Sequence, residues 1–109
     1  MAINPDGVIN QVEGGIVQSI SWTLKERIAF GPAGTTARTW EDYPILGFDE
    51  VPEINIELVH QSKLPPLGVG EVAHGPVGAA LANAVARALD CRIRDLPLTR
   101  ERIIEALNR

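Results

Sequence analysis

Residues 68–85 read GVGEVAHGPVGAALANAV, and two kinds of local structure meet inside them. From Pro76 onward, Val77, Ala80, Leu81, Ala84, Val85 and Ala88 fall on one face at a 3.6-residue period, and Pro is well suited to the first position of a helix. Gly78, Ala79, Ala82 and Ala86 keep the remaining surface small, so this helix is expected to pack against neighbours on several sides. Ahead of it, Gly68-Val69-Gly70 leads into a single carboxylate, Glu71, set among glycines and small apolar residues. Glycines let a ligand approach the backbone, and a carboxylate that loses hydration gains affinity for a proton, as a general base requires. The same residue also reads as a solvated loop Glu, or as a charge favouring the N-terminus of the helix that follows.

Working outward, Leu64-Pro65-Pro66-Leu67 brings the chain to this loop in a stiff, extended form. Ile54-Asn-Ile-Glu-Leu-Val59 alternates apolar and polar residues as a half-buried strand does. Residues 43–48 are apolar but fit neither period. Thr35–Trp40, rich in β-branched residues, is expected to be a short strand after a hairpin-like turn at Gly31-Pro32-Ala33-Gly34. A first helix is expected from Gln11, with Asn10 and Glu13 spaced as a capping box and Val12, Ile16, Ile20, Leu24 and Ile28 recurring every fourth residue. Gly14-Gly15 near its start weakens it by about 1 kcal/mol per Gly relative to Ala, which points to something approaching that backbone closely. Asn4-Pro5-Asp6-Gly7 before it reads as a turn. At the other end, Pro97 sets a corner and Thr99 caps a last helix carrying Ile103, Ile104 and Leu107. The expected fold is a single α+β domain over residues 1–109. It comprises a long first helix, a small mixed or antiparallel sheet, an Ala-rich second helix and a short C-terminal helix.

Composition narrows the function. Residues 1–71 hold 4 basic and 10 acidic side chains and residues 72–109 hold 6 and 4, and the whole chain has a net charge of −4. An acidic chain with only two lysines argues against an electrostatic grip on nucleic-acid phosphates, so nucleic acid is not an expected partner. No apolar run is long enough to span a bilayer. With Cys91 as the single cysteine and with His60 and His74 far apart in sequence, no metal bound by protein ligands alone is expected. Any metal chemistry would enter with a cofactor.

Gln11, at the expected first position of the first helix, has an amide that both donates and accepts, beside free backbone N–H groups suited to a polar heterocycle or phosphate. It also reads as a surface residue near a cap. Asn83, in the middle of the Ala-rich helix, is expected to be partly buried and satisfied by structural partners. His74, three residues after Glu71, could reach the same site, but is expected to support the loop. Trp22, Trp40, Tyr43 and Phe48 are expected in core and interface, since no basic groove accompanies them.

Three ordered stretches together resemble a known family: NPDGVINQVEGGIVQSISWTL (4–24), WEDYPILGFDEVPE (40–53), and GVGE ending at Glu71 followed by ALANAV and LPLT. The chain resembles the molybdenum hydroxylases, that is, the xanthine dehydrogenase and aldehyde oxidase family. It looks most like the C-terminal end of the molybdopterin-binding large subunit of the isoquinoline 1-oxidoreductase type. The resemblance implies an oxidoreductase that hydroxylates aldehydes or N-heterocycles with water as the oxygen source. It implies that Glu71 is the catalytic base beside molybdenum, that Gln11 hydrogen-bonds the pyranopterin, and that Gly14, Gly15, Gly68 and Gly70 leave room for cofactor and substrate. It further implies two partners, the remainder of the large subunit and a small iron–sulfur subunit that carries electrons away. Family large subunits are many times longer, so the chain by itself is expected neither to hold molybdopterin nor to turn over. Its exposed apolar surface is expected to favour self-association. The competing expectation is a non-catalytic folded module, or a remnant, serving subunit contact.

Overall fold

The structure, a computed structural model, describes all of residues 1–109. Three helices frame it: α1 (Pro5–Leu24), α2 (His74–Leu89) and α3 (Arg100–Leu107). Two short strands, β1 (Phe30–Gly31) and β2 (Gly34–Thr35), pair antiparallel around Pro32-Ala33, with Phe30 opposite Thr35 and Gly31 opposite Gly34. Gly34 takes φ 107°, a conformation open mainly to glycine, and this closes the turn. The α+β class, the antiparallel pair and the order of the helices agree with the sequence reading.

The start of α1 does not. The helix begins at Pro5 rather than Gln11, because the residues that read as a turn make its cap: the Asn4 side-chain oxygen accepts the Gly7 N–H at 3.0 Å, and Pro5 enters with φ already set. Asn10 lies inside the helix, where its amide donates to the Asp6 carbonyl at 3.0 Å, so it caps nothing. At the other end α1 stops at Leu24, short of Ile28, and the Lys25 N–H closes the last turn on the Ser21 carbonyl at 2.8 Å.

The buried face of α1 also differs from the expected apolar stripe. Of Val12, Ile16, Ile20, Leu24 and Ile28, only Ile20 is buried, whereas Gly15, Ser19, Ser21 and Thr23 all are. Gly15, Ser19 and Thr23 lie four residues apart, on the face against which the Ala- and Gly-rich α2 packs. Small residues on both helices let the backbones come close; a Cβ on Gly78 of α2 would lie 3.5 Å from the Thr23 hydroxyl. The Ser19 hydroxyl is satisfied within its own helix by the Gly15 carbonyl at 2.7 Å. The Leu98 N–H donates to the Thr23 carbonyl at 2.7 Å, which brings the buried Ile93 and Leu98 to join Ile20 and Ala73 in the apolar core.

Between the helices, the expected strand at Thr35–Trp40 extends no further than Thr35. The Arg38 and Thr39 N–H groups donate instead to one oxygen of Asp42, at 2.9 and 3.1 Å, and bend the chain into a 3-10 turn at Trp40–Asp42. Residues 43–50 dock on the last turn of α1 and the two residues after it through polar contacts: the Tyr43 hydroxyl donates to Glu26 at 2.8 Å, the Leu46 N–H donates to the Ser21 hydroxyl at 2.9 Å, and Lys25 pairs with Glu50. The hydrogen bond to the Glu26 carboxylate raises the Tyr43 phenol above its usual pKa. Lys25, together with the Gly47 N–H, holds the Glu50 carboxyl below its usual range. Residues 54–59 keep the expected alternation, with Ile54, Ile56 and Leu58 half-buried, but no strand pairs with them. Asn83, expected to be partly buried, is exposed and accepts a hydrogen bond from Arg92 at 3.0 Å. Trp40 and Phe48 are not core residues either; both are exposed, with Trp40 at 80%.

Candidate functional site

The site lies where the loop before α2 crosses the first half of α1. Gln11 projects from α1 toward that loop, and its side-chain amide donates to the Gly70 carbonyl at 2.8 Å, across 59 residues of sequence. Residue 11 is therefore mid-helix, not beside the free N–H groups of a helix terminus. One amide hydrogen is used on Gly70, and the carbonyl oxygen and second hydrogen remain for another partner. Gly68 and Gly70 face open space, with no atom within 4 Å of where a Cβ would stand.

Glu71 follows at once. Its backbone carbonyl accepts the His74 N–H at 3.2 Å, turning the chain into α2, and its side chain stands 89% exposed. The apolar surroundings expected around this carboxylate are thus not supplied by this chain. Its one close side-chain neighbour is His74, whose Nδ1 lies 3.8 Å from Glu71 Oε1.

His74 is the best-packed polar side chain of the site, 19% exposed. Its ring meets Trp22 edge-on, with centroids 5.1 Å apart, and its Nε2 is buried without a hydrogen-bond partner. Gly15 makes room for this ring: a Cβ there would stand 3.3 Å from His74 Nε2 and 3.4 Å from the Ala73 Cβ. Gly14 points elsewhere, into an apolar groove of about 990 Å³ lined by Val17, Trp40, Tyr43, Ile45, Phe48 and Val51 among others. The structure therefore gathers Gln11, Gly70 and Glu71 at one place, sets Gly15 beneath it, and leaves Gly14 on another side of α1. The Trp22–His74 contact was not anticipated. Its signal was present in the seven-residue spacing of Gly15 and Trp22, two helical turns that bring both to one face.

No three His, Cys, Asp or Glu side chains converge as metal ligands, and no helix is long and apolar enough to cross a membrane. Residues 1–52, which contain Gln11, match the molybdopterin cofactor-binding domain family. A nicotinate dehydrogenase subunit of Pseudomonas putida is 42% identical over 98% of this chain. The chain belongs to the molybdenum hydroxylase family. The beta subunit of isoquinoline 1-oxidoreductase from Brevundimonas diminuta is 36% identical over 90% of the chain. The crystal structure of quinoline 2-oxidoreductase from Pseudomonas putida 86 superposes with a TM-score of 0.84 at 35% identity, over 97% of this chain. The chain spans 9% and 12% of the two curated relatives and 14% of the solved chain, so this molybdenum hydroxylase segment corresponds to about a tenth of the complete proteins. In complete molybdenum hydroxylases the cofactor is molybdenum carried by molybdopterin. The Gln11 amide, with a free acceptor and a free donor beside an open glycine loop, suits the polar edge of such a group.

Proposed function

We propose that residues 1–109 form part of the molybdopterin-binding domain of an oxidoreductase that hydroxylates an aldehyde or N-heterocycle, with Glu71 as its general base. One observation carries the reading: the Gln11 amide, in the cofactor-binding family match, holds the carbonyl of Gly70, the residue directly before Glu71. Two motifs far apart in sequence are thereby drawn to one place, one suited to hydrogen-bond a pterin and the other suited to accept a proton.

When bound, the cofactor supplies the two-electron oxidation and the activated oxygen. The residues of this chain do the rest of what it contributes. Gln11 would orient the pterin through its free amide groups while fixing the loop that carries the base. Gly70, and Gly68 before it, leave room for the incoming group; Gly15 acts indirectly by admitting His74, and Gly14, on another side of α1, takes no part. Glu71 would take up a proton as oxygen is transferred, once the remainder of the large subunit covers its exposed carboxylate and removes water from it. Electrons would leave through a small iron–sulfur subunit. The chain by itself lacks that cover and is inactive.

The deciding experiment is Glu71→Gln in the assembled enzyme. Loss of about 10²–10⁴-fold in kcat is expected, the usual weight of a positioned base. The 109-residue chain purified by itself should carry far less than stoichiometric molybdenum. The high exposure of Glu71 favours a second reading, a non-catalytic module serving subunit contact. Undiminished turnover of the assembled Glu71→Gln enzyme would end the base reading.

A further inference from the structure

We propose that His74 is a positioning residue for Glu71, orienting the carboxylate through Nδ1 while its own ring is clamped by α1. The proposal rests on Glu71 acting as the base.

The clamp is visible on two sides. Trp22 meets the ring edge-on at 5.1 Å, and the backbone of Gly15 passes close enough that a Cβ there would stand 3.3 Å from Nε2. Both contacts come from one face of α1, so the imidazole plane is set by the helix pair and not by the loop. The two nitrogens then face different surroundings. Nε2 is buried with no partner, so a hydrogen there would be a donor left unsatisfied. Nδ1 faces the Glu71 carboxylate at 3.8 Å. The tautomer that satisfies the ring is therefore the one with its hydrogen on Nδ1, directed at Glu71.

At 3.8 Å the contact is longer than a hydrogen bond. It needs only a small rotation of the Glu71 side chain, which is 89% exposed and paired with no other side chain. Once made, the bond fixes one carboxylate oxygen and leaves the other free to take a proton. A free glutamate on a glycine-rich loop has many rotamers, and a base must hold one of them. The backbone bond from the His74 N–H to the Glu71 carbonyl keeps the two residues in step.

Two measurements test this. On the full 109-residue chain, two-bond ¹H–¹⁵N NMR correlations should show His74 protonated on Nδ1, and Glu71→Gln should move the His74 Nδ1 resonance while leaving His60 in place. A hydrogen on Nε2, or an Nδ1 signal indifferent to Glu71→Gln, overturns the proposal. In the assembled enzyme, H74F keeps an aromatic ring against Trp22 and deletes the donor, while H74N retains a donor near the Nδ1 position and deletes the ring. H74F should lower kcat about tenfold or more with KM little changed, and H74N should recover to within about threefold of the parent. The opposite order, an active H74F and a crippled H74N, would mean that the ring only packs. The base reading fails by a different sign, a fully active Glu71→Gln enzyme, so the two failures are told apart.

Discussion

Gly14 and Gly15 are adjacent in sequence and have opposite surroundings. A methyl added at Gly14 meets nothing within 4 Å, so Gly14→Ala should gain helix propensity and stabilise the chain by about 0.5–1 kcal/mol. A methyl at Gly15 would press on His74 Nε2 at 3.3 Å and on the Ala73 Cβ at 3.4 Å. Both are parts of a packed helix pair, so Gly15→Ala should cost about 1 kcal/mol despite the same propensity gain. Urea unfolding of the two variants, followed by circular dichroism, checks the pair; equal shifts would mean that His74 is not seated on Gly15. Sequence alone indicated that the Gly-Gly pair admits a close approach, but not which neighbour makes it. That neighbour is 59 residues downstream of Gly15, and no local pattern links them. Glu71 and Gln11 were singled out by the order of the motifs, whereas the contact of Gln11 with Gly70 beside Glu71 needed the fold.

At the scale of the elements, the misread start of α1 is instructive because the same residues support both readings. Asn-Pro-Asp-Gly suits a turn, yet Asn as cap, Pro at the first position and Asp in the first turn are also helix-start signals. The cap decides for the helix, because the Asn4 side chain accepts the Gly7 N–H. Asn4→Ala should therefore cost about 1 kcal/mol and lower helicity, while Asn10→Ala should change both little. The opposite order would restore the start at Gln11. The strands were read less well, because a β-branched run forms a strand only where a partner is at hand. After Thr35 the Asp42 carboxylate draws the Arg38 and Thr39 N–H groups to itself, and the resulting bonds hold its pKa below the ordinary 3.8. A lowered folded-state value means that the turn's stabilisation is present above pH 3.8 and lost as pH falls through the lower value. A ¹³C NMR titration should place the Asp42 midpoint below 3.8, and a midpoint at or above it would show the two backbone bonds to be absent in solution.

The molecule as a whole is too open for its size. Its accessible surface is 8391 Å², against roughly 5,900 Å² expected for a folded monomer of this mass. Its radius of gyration is 17.3 Å, against about 13 Å for a compact domain of this length. Only 9 of 109 residues are buried. The excess of roughly 2,500 Å² on this one chain, matched by a partner, would amount to about 5,000 Å² in total, the scale of large obligate interfaces. Much of it is apolar: Trp40 and Phe48 stand in the groove beside α1, and the unpaired segment at 54–59 exposes Val59. The proposed cover for this surface is the rest of a large subunit such as those of its relatives, of which the chain spans about a tenth. An exposed apolar surface of this size is expected to draw copies of the chain together. The 109-residue chain should therefore sediment with a weight-average mass that rises with concentration and should bind a hydrophobic dye strongly. Replacing Trp40 and Phe48 together by Ser removes two large exposed side chains without touching the α1–α2 packing, so it should lower both association and dye binding while leaving helicity intact. A mass that stays monomeric across the accessible concentration range would show that the groove is not sticky in water, and would leave the open shape as a property the chain tolerates.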